Sequence, residues 1–296
     1  MITLLTGSSG FFGSEYLALL GNDDVITLGR NNATITADLS IEVPEIDTVD
    51  LVIHAAGKAH TVPRTHQEKE EFYNVNVEGT RNLLLGLENA RSLPKSFVFI
   101  SSVAVYGLET GNLIDENTSL LAVDPYGHSK IQAEKLVTDW CDKNNITCTI
   151  LRLPLLAGKN PPGNLKSMIK GITVGYYFNI AGGKAKKSMV MARDVAKIIP
   201  KVAGIGGIYN LTDRHHPSFF ELSALMATQL GKKAPLNIPK WMAVLLAKAG
   251  DIVGKKAPIN SNKLSKIISD LTFDDSKAQV KIGWSPSYVL RELEIF

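Results

Sequence analysis

Cysteine is nearly absent: Cys141 and Cys148 are the only two in 296 residues. Two thiols make no disulfide framework, which fits a reducing compartment. The histidines are scattered, and no Cys or His cluster has the spacing of a metal site, so no metal is expected. His215 and His216 adjoin in a loop, where neighbouring side chains point apart, and they read as surface or nucleotide-edge residues. An excess of either charge is also missing. The 32 Lys and Arg oppose 29 Asp and Glu, which argues against a nucleic-acid partner. Lys184, Lys186 and Lys187 form the densest basic cluster, suited to a phosphate rather than a duplex. No repeat, low-complexity tract or apolar run near the ~20 residues that span a bilayer is present. The most apolar later stretch, Trp241–Ala247, is bracketed by Lys240, Lys248 and Asp251. It reads as an amphipathic helix covering a core, with membrane-surface association as the sharper alternative. No membrane partner is expected. Met1 runs straight into a strand-like segment, leaving no room for a signal peptide, and a cytoplasmic protein is expected.

What is present is organised from the first residues. Ile2–Thr6 is strand-like, and Thr6-Gly-Ser-Ser-Gly-Phe-Phe-Gly13 follows it directly. Gly7 suits a tight turn, Gly10 lets backbone approach a pyrophosphate, and Gly13 lets a helix pack close to the strand. Strand-like runs at Val25–Leu28, Val49–His54, Ser96–Ser101 and Ile146–Leu151 alternate with helical patterns at Phe11–Leu20, Gln67–Asn89 and from Pro125. Apolar strands alternating with helices predict an α/β fold: a Rossmann, doubly wound parallel sheet covered on both faces. Pro154, Pro161, Pro162 and Gly163 break the rhythm. Residues 1–153 therefore read as a dinucleotide-binding domain, and 154–296 as a smaller, mostly helical part for the substrate. The strand candidate Gly207–Leu211 is placed to return to the main sheet.

Open parallel sheets bind ligands at the carboxyl ends of their strands. The Ser96–Ser101 strand ends at Ser101-Ser102, and the next helix carries Tyr126 and Lys130. At i and i+4 these share a helix face. A lysine beside a phenol lowers its pKa, so Tyr126 can pass a proton to or from a substrate oxygen that the Ser102 hydroxyl also reaches.

Together, Thr6–Gly13, His54-Ala-Ala-Gly57, Asn76-Val-Glu-Gly-Thr80, Ser101–Gly107, Pro125–Lys130 and Ile282-Gly-Trp-Ser-Pro286 give the whole chain a resemblance to the extended short-chain dehydrogenase/reductases. Within them it looks most like the NAD-dependent epimerases, dehydratases and reductases of nucleotide sugars. The resemblance implies a catalytic set of Ser102, Tyr126 and Lys130, with Lys130 also a ribose ligand. It places Gly7, Gly10, Phe11, Phe12 and Gly13 at the pyrophosphate, Asp38 and Leu39 at the adenine, and Ala55, Ala56, Gly57 and Ser101 along the cofactor. Asn76 would tie the loop near the cofactor by hydrogen bonds, and His54 reads as a packed strand-end residue. Asn164 and Leu165 would hold the substrate's nucleotide, Lys187 its diphosphate, and the protein would be a homodimer.

Two departures narrow this. The dehydratases place Asp-Glu after the catalytic hydroxyl residue, whereas Val103-Ala104 follows Ser102 here, so 4,6-dehydration is not expected. Gly29 stands where NAD-preferring relatives carry a ribose-binding carboxylate, and Arg30 can meet a 2′-phosphate. NADP(H) is therefore expected over NAD(H), which tilts the reading from UDP-hexose 4-epimerase toward 4-keto-sugar reductase. Leu155, where epimerases often carry Asn, weakens one substrate contact. A non-sugar carbonyl reductase and a catalytically silent NADP-sensing protein are the competing readings.

Overall fold

A computed structural model describes residues 1–21, 24–59, 61–253 and 260–296. Seven strands form one parallel sheet: β1 (Thr3–Thr6), β2 (Val25–Gly29), β3 (Ile35–Thr36), β4 (Leu51–His54), β5 (Ser96–Ser102), β6 (Thr147–Leu153) and β7 (Gly207–Asn210), in the spatial order β7-β6-β5-β4-β1-β2-β3. β7 is the returning strand, paired in parallel with β6. Successive side chains on a strand point to opposite faces, and the two faces are covered separately. Leu5, Ile53, Val98 and Leu151 pack under α1 (Phe11–Leu20) and the helix Ala192–Ala203. Leu4, Val52, Phe97 and Ile150 pack under the helices Gly79–Glu88 and Pro125–Asn144. This two-sided burial explains why the strands read as continuous apolar runs.

The direction of winding reverses between β1 and β4, so the loops after these strands part and open a crevice at their carboxyl ends. Two glycines set its floor. Gly7 has φ +73°, and a Cβ there would lie 2.6 Å from Ala56 N; a Cβ on Gly13 would overlap Gly7 O.

The 67–89 pattern is not one uniform helix. It divides into His66–Tyr73, a π-helical turn Asn74–Glu78, and Gly79–Glu88. The region beyond β6 is mostly helical, with short strands between its helices. Short parallel pairs join Leu155–Ala157 to Met189–Met191, Asn179–Ile180 to Asn237–Ile238, and Gly111–Ile114 to Leu271–Phe273. Strands of two to four residues leave too little periodicity to be read from sequence. The helix Lys240–Val253 corrects another expectation: Ala243, Ala247 and Gly250 face inward, and its large apolar side chains are exposed. Cys141 and Cys148 are unbridged.

The catalytic-face helix Pro125–Asn144 starts where it does for local reasons. Asp124 caps it by accepting from Gly127 N at 3.0 Å, and Pro125 takes the first helical position, where no N–H is needed. Its inner end is held by a buried ion pair. Arg152 Nη2 donates to Glu134 Oε2 at 2.8 Å, both side chains being almost fully buried. Ser101 Oγ donates to Glu134, Arg152 Nη1 donates to Tyr106 Oη, and Tyr106 donates to Asn210 Oδ1 at 2.8 Å. One polar chain thus ties the helix to β5, β6 and β7. Arg152→Met is expected to destabilise the protein by about 3–5 kcal/mol by leaving Glu134 buried and unpaired, while Glu134→Leu combined with Arg152→Met recovers most of it. Urea melts of the three proteins measure this; equal midpoints for wild type and Arg152→Met would refute it.

Candidate functional site

The first turn of α1 begins at the mouth of the crevice. Its N–H groups at Phe11, Phe12 and Gly13 precede the first residue with an intrahelical partner, Ser14, whose N donates to Gly10 O at 2.9 Å. Together with the dipole's positive end they make an anion site. The side chain of Phe12 takes no part, because it is buried in the core beside Tyr16; only its backbone faces the crevice. At the end of β2, Arg30 is exposed, and among the described residues no side chain pairs with it.

Tyr126, Lys130 and Glu134 lie at four-residue spacing on one face of the Pro125–Asn144 helix. Tyr126 is half-buried against the Phe72 ring, with centroids 6.2 Å apart, and its hydroxyl lies beside Ser102. Ser102 Oγ accepts from Ala104 N at 3.2 Å. Burial pushes the Tyr126 phenol above its ordinary pKa; the Ser102 hydroxyl opposes this and the Asp124 carboxylate adds to it. This corrects the expectation that Lys130 lowers it. The Lys130 ammonium is turned away, donating to Ile100 O at 2.9 Å over the face of Phe99. Burial brings Lys130 down to about 8, with Glu134 opposing.

A hydrogen-bonded relay fixes the floor between β1, β4 and the π-helical turn. Ala56 N donates to Thr6 Oγ1 at 3.1 Å, and Thr80 Oγ1 donates to Asn76 O at 2.6 Å. Between them, His54 Nδ1 meets Thr6 Oγ1 at 2.7 Å and Nε2 meets Thr80 Oγ1 at 2.9 Å. Since Thr80 spends its proton on Asn76 O, His54 must carry its proton on Nε2 and accept from Thr6 at Nδ1. Burial, and then the Lys130 charge, lower the His54 pKa to about 3, so the ring stays neutral. Asn76 is buried in the π-helical turn. It accepts from Lys58 N at 2.7 Å and donates to Lys58 O and, at 2.8 Å, to Ser129 Oγ on the Tyr126 helix. π-helical turns recur at functional sites because the extra residue re-aims side chains.

The other expected residues divide. Ala55, Ala56 and Gly57 line the crevice opposite Gly7. Ser101 is close in sequence, but its hydroxyl is committed to Glu134 inside the fold. Asp38 anchors its own turn by accepting from Ser40 N and Oγ, and Leu39 is a core residue. Asn164 is exposed in the first turn of the helix Gly163–Val174, whereas Leu165 is buried beneath it. Lys187 is half-buried and its ammonium is already used: it donates to Lys266 O at 3.1 Å and Ser269 O at 3.0 Å, at the end of the helix Ser261–Ile268. The exposed Lys184 and Lys186 are the cations that remain in that cluster. His216 meets Ser188 Oγ through Nδ1 at 2.9 Å, and the His215 ring lies tilted against Tyr288, with centroids 5.7 Å apart. Glu134, Arg152, Ser129 and the Thr6–Thr80 pair were not foreseen; of these only Glu134, one turn beyond Lys130, had a visible signal in its spacing.

Comparison with known proteins identifies the family. The family model described as "NAD dependent epimerase/dehydratase family" matches residues 3–211. An Escherichia coli O157:H7 relative, N-acetyl-alpha-D-glucosaminyl-diphospho-ditrans,octacis-undecaprenol 4-epimerase, is 28% identical over 98% of this chain and 92% of its own. A Vibrio cholerae UDP-glucose 4-epimerase is 27% identical over the same shares. Among solved structures, MoeE5 in complex with UDP-glucose and NAD superimposes with a TM-score of 0.73 at 19% identity, over 99% of this chain and 95% of that one, which speaks for the fold alone. With the crevice at the switch point, the glycine turn and the Tyr126–Lys130 face all inside the matched span, the chain belongs to the NAD dependent epimerase/dehydratase family.

Proposed function

We propose that this protein is a 4-epimerase of a hexose carried on a diphosphate, working with a nicotinamide dinucleotide. The observation that carries the reading is the Tyr126–Lys130 helix face with Ser102 beside the phenol at the neighbouring strand end. The relatives' names support it, since UDP-glucose and N-acetylglucosaminyl-diphospho-undecaprenol share a hexose on a diphosphate. They favour epimerisation over the 4-keto reduction that Arg30 suggested.

The residues fit a dinucleotide. A Cβ on Gly57 would lie 3.0 Å from Asn76 Oδ1 and 3.4 Å from Lys130 Nζ, so glycine keeps that groove open. The backbone of Gly7, Gly10, Phe11, Phe12 and Gly13 would hold the pyrophosphate. Ala55–Gly57 and Lys130 would hold the ribose near the reacting ring, Asp38 and the Leu39 backbone the adenine edge, and Arg30 a 2′-phosphate. When bound, the dinucleotide supplies the hydride acceptor and donor.

The chain's own work is proton transfer and positioning. Tyr126 takes the proton from the C4 hydroxyl as the hydride leaves and gives it back when the hydride returns to the opposite face. Ser102 hydrogen-bonds the same oxygen. Burial raises the phenol's pKa in the free protein, so it must give up its own proton before it can take the C4 proton; it is then the acid of the return step. Asn164, Lys184 and Lys186 are the exposed polar groups offered to the substrate's diphosphate and its handle. Val103 and Ala104 offer no carboxylate for water loss. The protein is read as a homodimer.

Incubation with UDP-glucose or UDP-N-acetylglucosamine is expected to give the C4 epimer by NMR; release of a 4-keto-6-deoxy sugar would overturn the reading. Tyr126→Phe is expected to cut turnover at least about a hundredfold while dinucleotide affinity stays within about twofold. In calorimetry NADPH is expected to bind more tightly than NADH, and Arg30→Ala to remove the difference, about tenfold. Equal affinities in the wild type would sink the role given to Arg30. Lys130 is charged below pH about 8 and neutral above it. A ribose-binding ammonium favours its charged form, so dinucleotide affinity is expected to be full below that pH and to fall above it. Lys130→Met is expected to bind weakly with no such dependence.

A further inference from the structure

The helix Lys240–Val253 is inside out for a covering helix. Its inner side carries Ala243, Val244 and Ala247, packed with Leu264, Ile180 and Ile238, and the buried Gly250. Its outer side carries Trp241, Met242, Leu245, Leu246 and Ile252, with Trp241 64%, Leu245 60% and Ile252 90% exposed. At about 100° per residue these outer positions fall within one continuous arc, and Lys248 lies at its border. Leu236 and Phe178, exposed at the start of the adjoining strand pair, add apolar surface. A contiguous apolar face of this kind marks an interaction surface.

Charge selects the occupant. Residues 232–256 contain six lysines and one acid, Asp251. Lys232, Lys233, Lys240 and Lys248 are exposed, and Lys255 and Lys256 follow in the sequence. The one acid of this stretch, Asp251, is held by Ser261 N at 2.9 Å and Ser261 Oγ at 2.6 Å, and the lysines outnumber it. A flat apolar arc headed by a tryptophan and set among lysines has the two signals that hold a helix in a lipid interface: buried apolar area and attraction to anionic headgroups. Among the described residues no helix is long and apolar enough to cross a membrane, so the helix would lie in the interface plane.

We infer that the outer face of the Lys240–Val253 helix docks this protein on an anionic phospholipid bilayer. The helix rests on Ser261–Ile268, whose terminal carbonyls are held by Lys187. The docked face is therefore one helix away from the Lys184–Lys187 segment. The inference does not depend on the proposed reaction, and its test needs no turnover.

Trp241 is the reporter, because the other two tryptophans, Trp140 and Trp284, are 7% and 4% exposed. Adding phosphatidylcholine vesicles that contain phosphatidylglycerol to the full chain is expected to blue-shift tryptophan emission and to carry the protein into the floating vesicle fraction. Phosphatidylcholine alone is expected to do so weakly, and added salt to reverse it. Leu245→Gln with Leu246→Gln keeps the reporter and is expected to lower partitioning at least about tenfold. Lys240→Gln with Lys248→Gln is expected to remove the preference for phosphatidylglycerol. No blue shift, or partitioning unchanged in the Leu variant, overturns the inference. So does a change of oligomeric state in that variant by sedimentation velocity without lipid, which would make the face an interface between copies.

Discussion

The site depends on how the Pro125–Asn144 helix is pinned to the sheet. Tyr126 and Lys130 occupy its outer turns, but the same face continues inward to Glu134, and Glu134 is held by Arg152 from β6 and Ser101 from β5. A buried ion pair of this sort contributes little net stability against an apolar alternative; its use is in geometry, since a misplaced charge there is costly. It fixes the rotation of the helix about its axis, and with it the direction of the phenol. Asn76 adds a second fixing point by bonding Ser129 on the adjacent turn.

Around that helix the crevice is built from close approaches rather than from large contacts. The glycine turn sits against the Ala55–Ala56 backbone, and the Thr6–His54–Thr80 relay joins the same loop to the π-helical turn. Every polar group in the relay has a partner, so a neutral histidine is stable at full burial. The Lys240–Val253 helix stands apart from this economy, presenting its apolar side chains outward on the other part of the molecule.

Much of the framework was legible because its signals are local. The turn chemistry of Gly7 and Gly13, the cap Asp124-Pro125 and the four-residue spacing of Tyr126 and Lys130 each lie within a few residues. Side-chain destinations were not legible. Phe12, Leu39 and Leu165 follow the family pattern in sequence yet face the core, because on a helix or turn the neighbouring position is the one that points outward. Ser101 and Lys187 find hydrogen-bond partners 33 and 79 or 82 residues away, and those partners, not the motif, decide where their polar atoms go.

By itself the sequence determined the strand and helix alternation, the glycine turn, the family, and the helix face bearing Tyr126 and Lys130, all set by short-range periodicity and turn chemistry. Only the tertiary structure decided that burial raises the Tyr126 pKa and that Lys130 donates to Ile100 O. It alone decided that Arg152 partners Glu134 and that Trp241–Ala247 turns its large residues to solvent. The physical reason is common to these cases. Burial, partner and local dielectric belong to chain segments brought together from far apart, and no window of sequence contains both sides of such a contact.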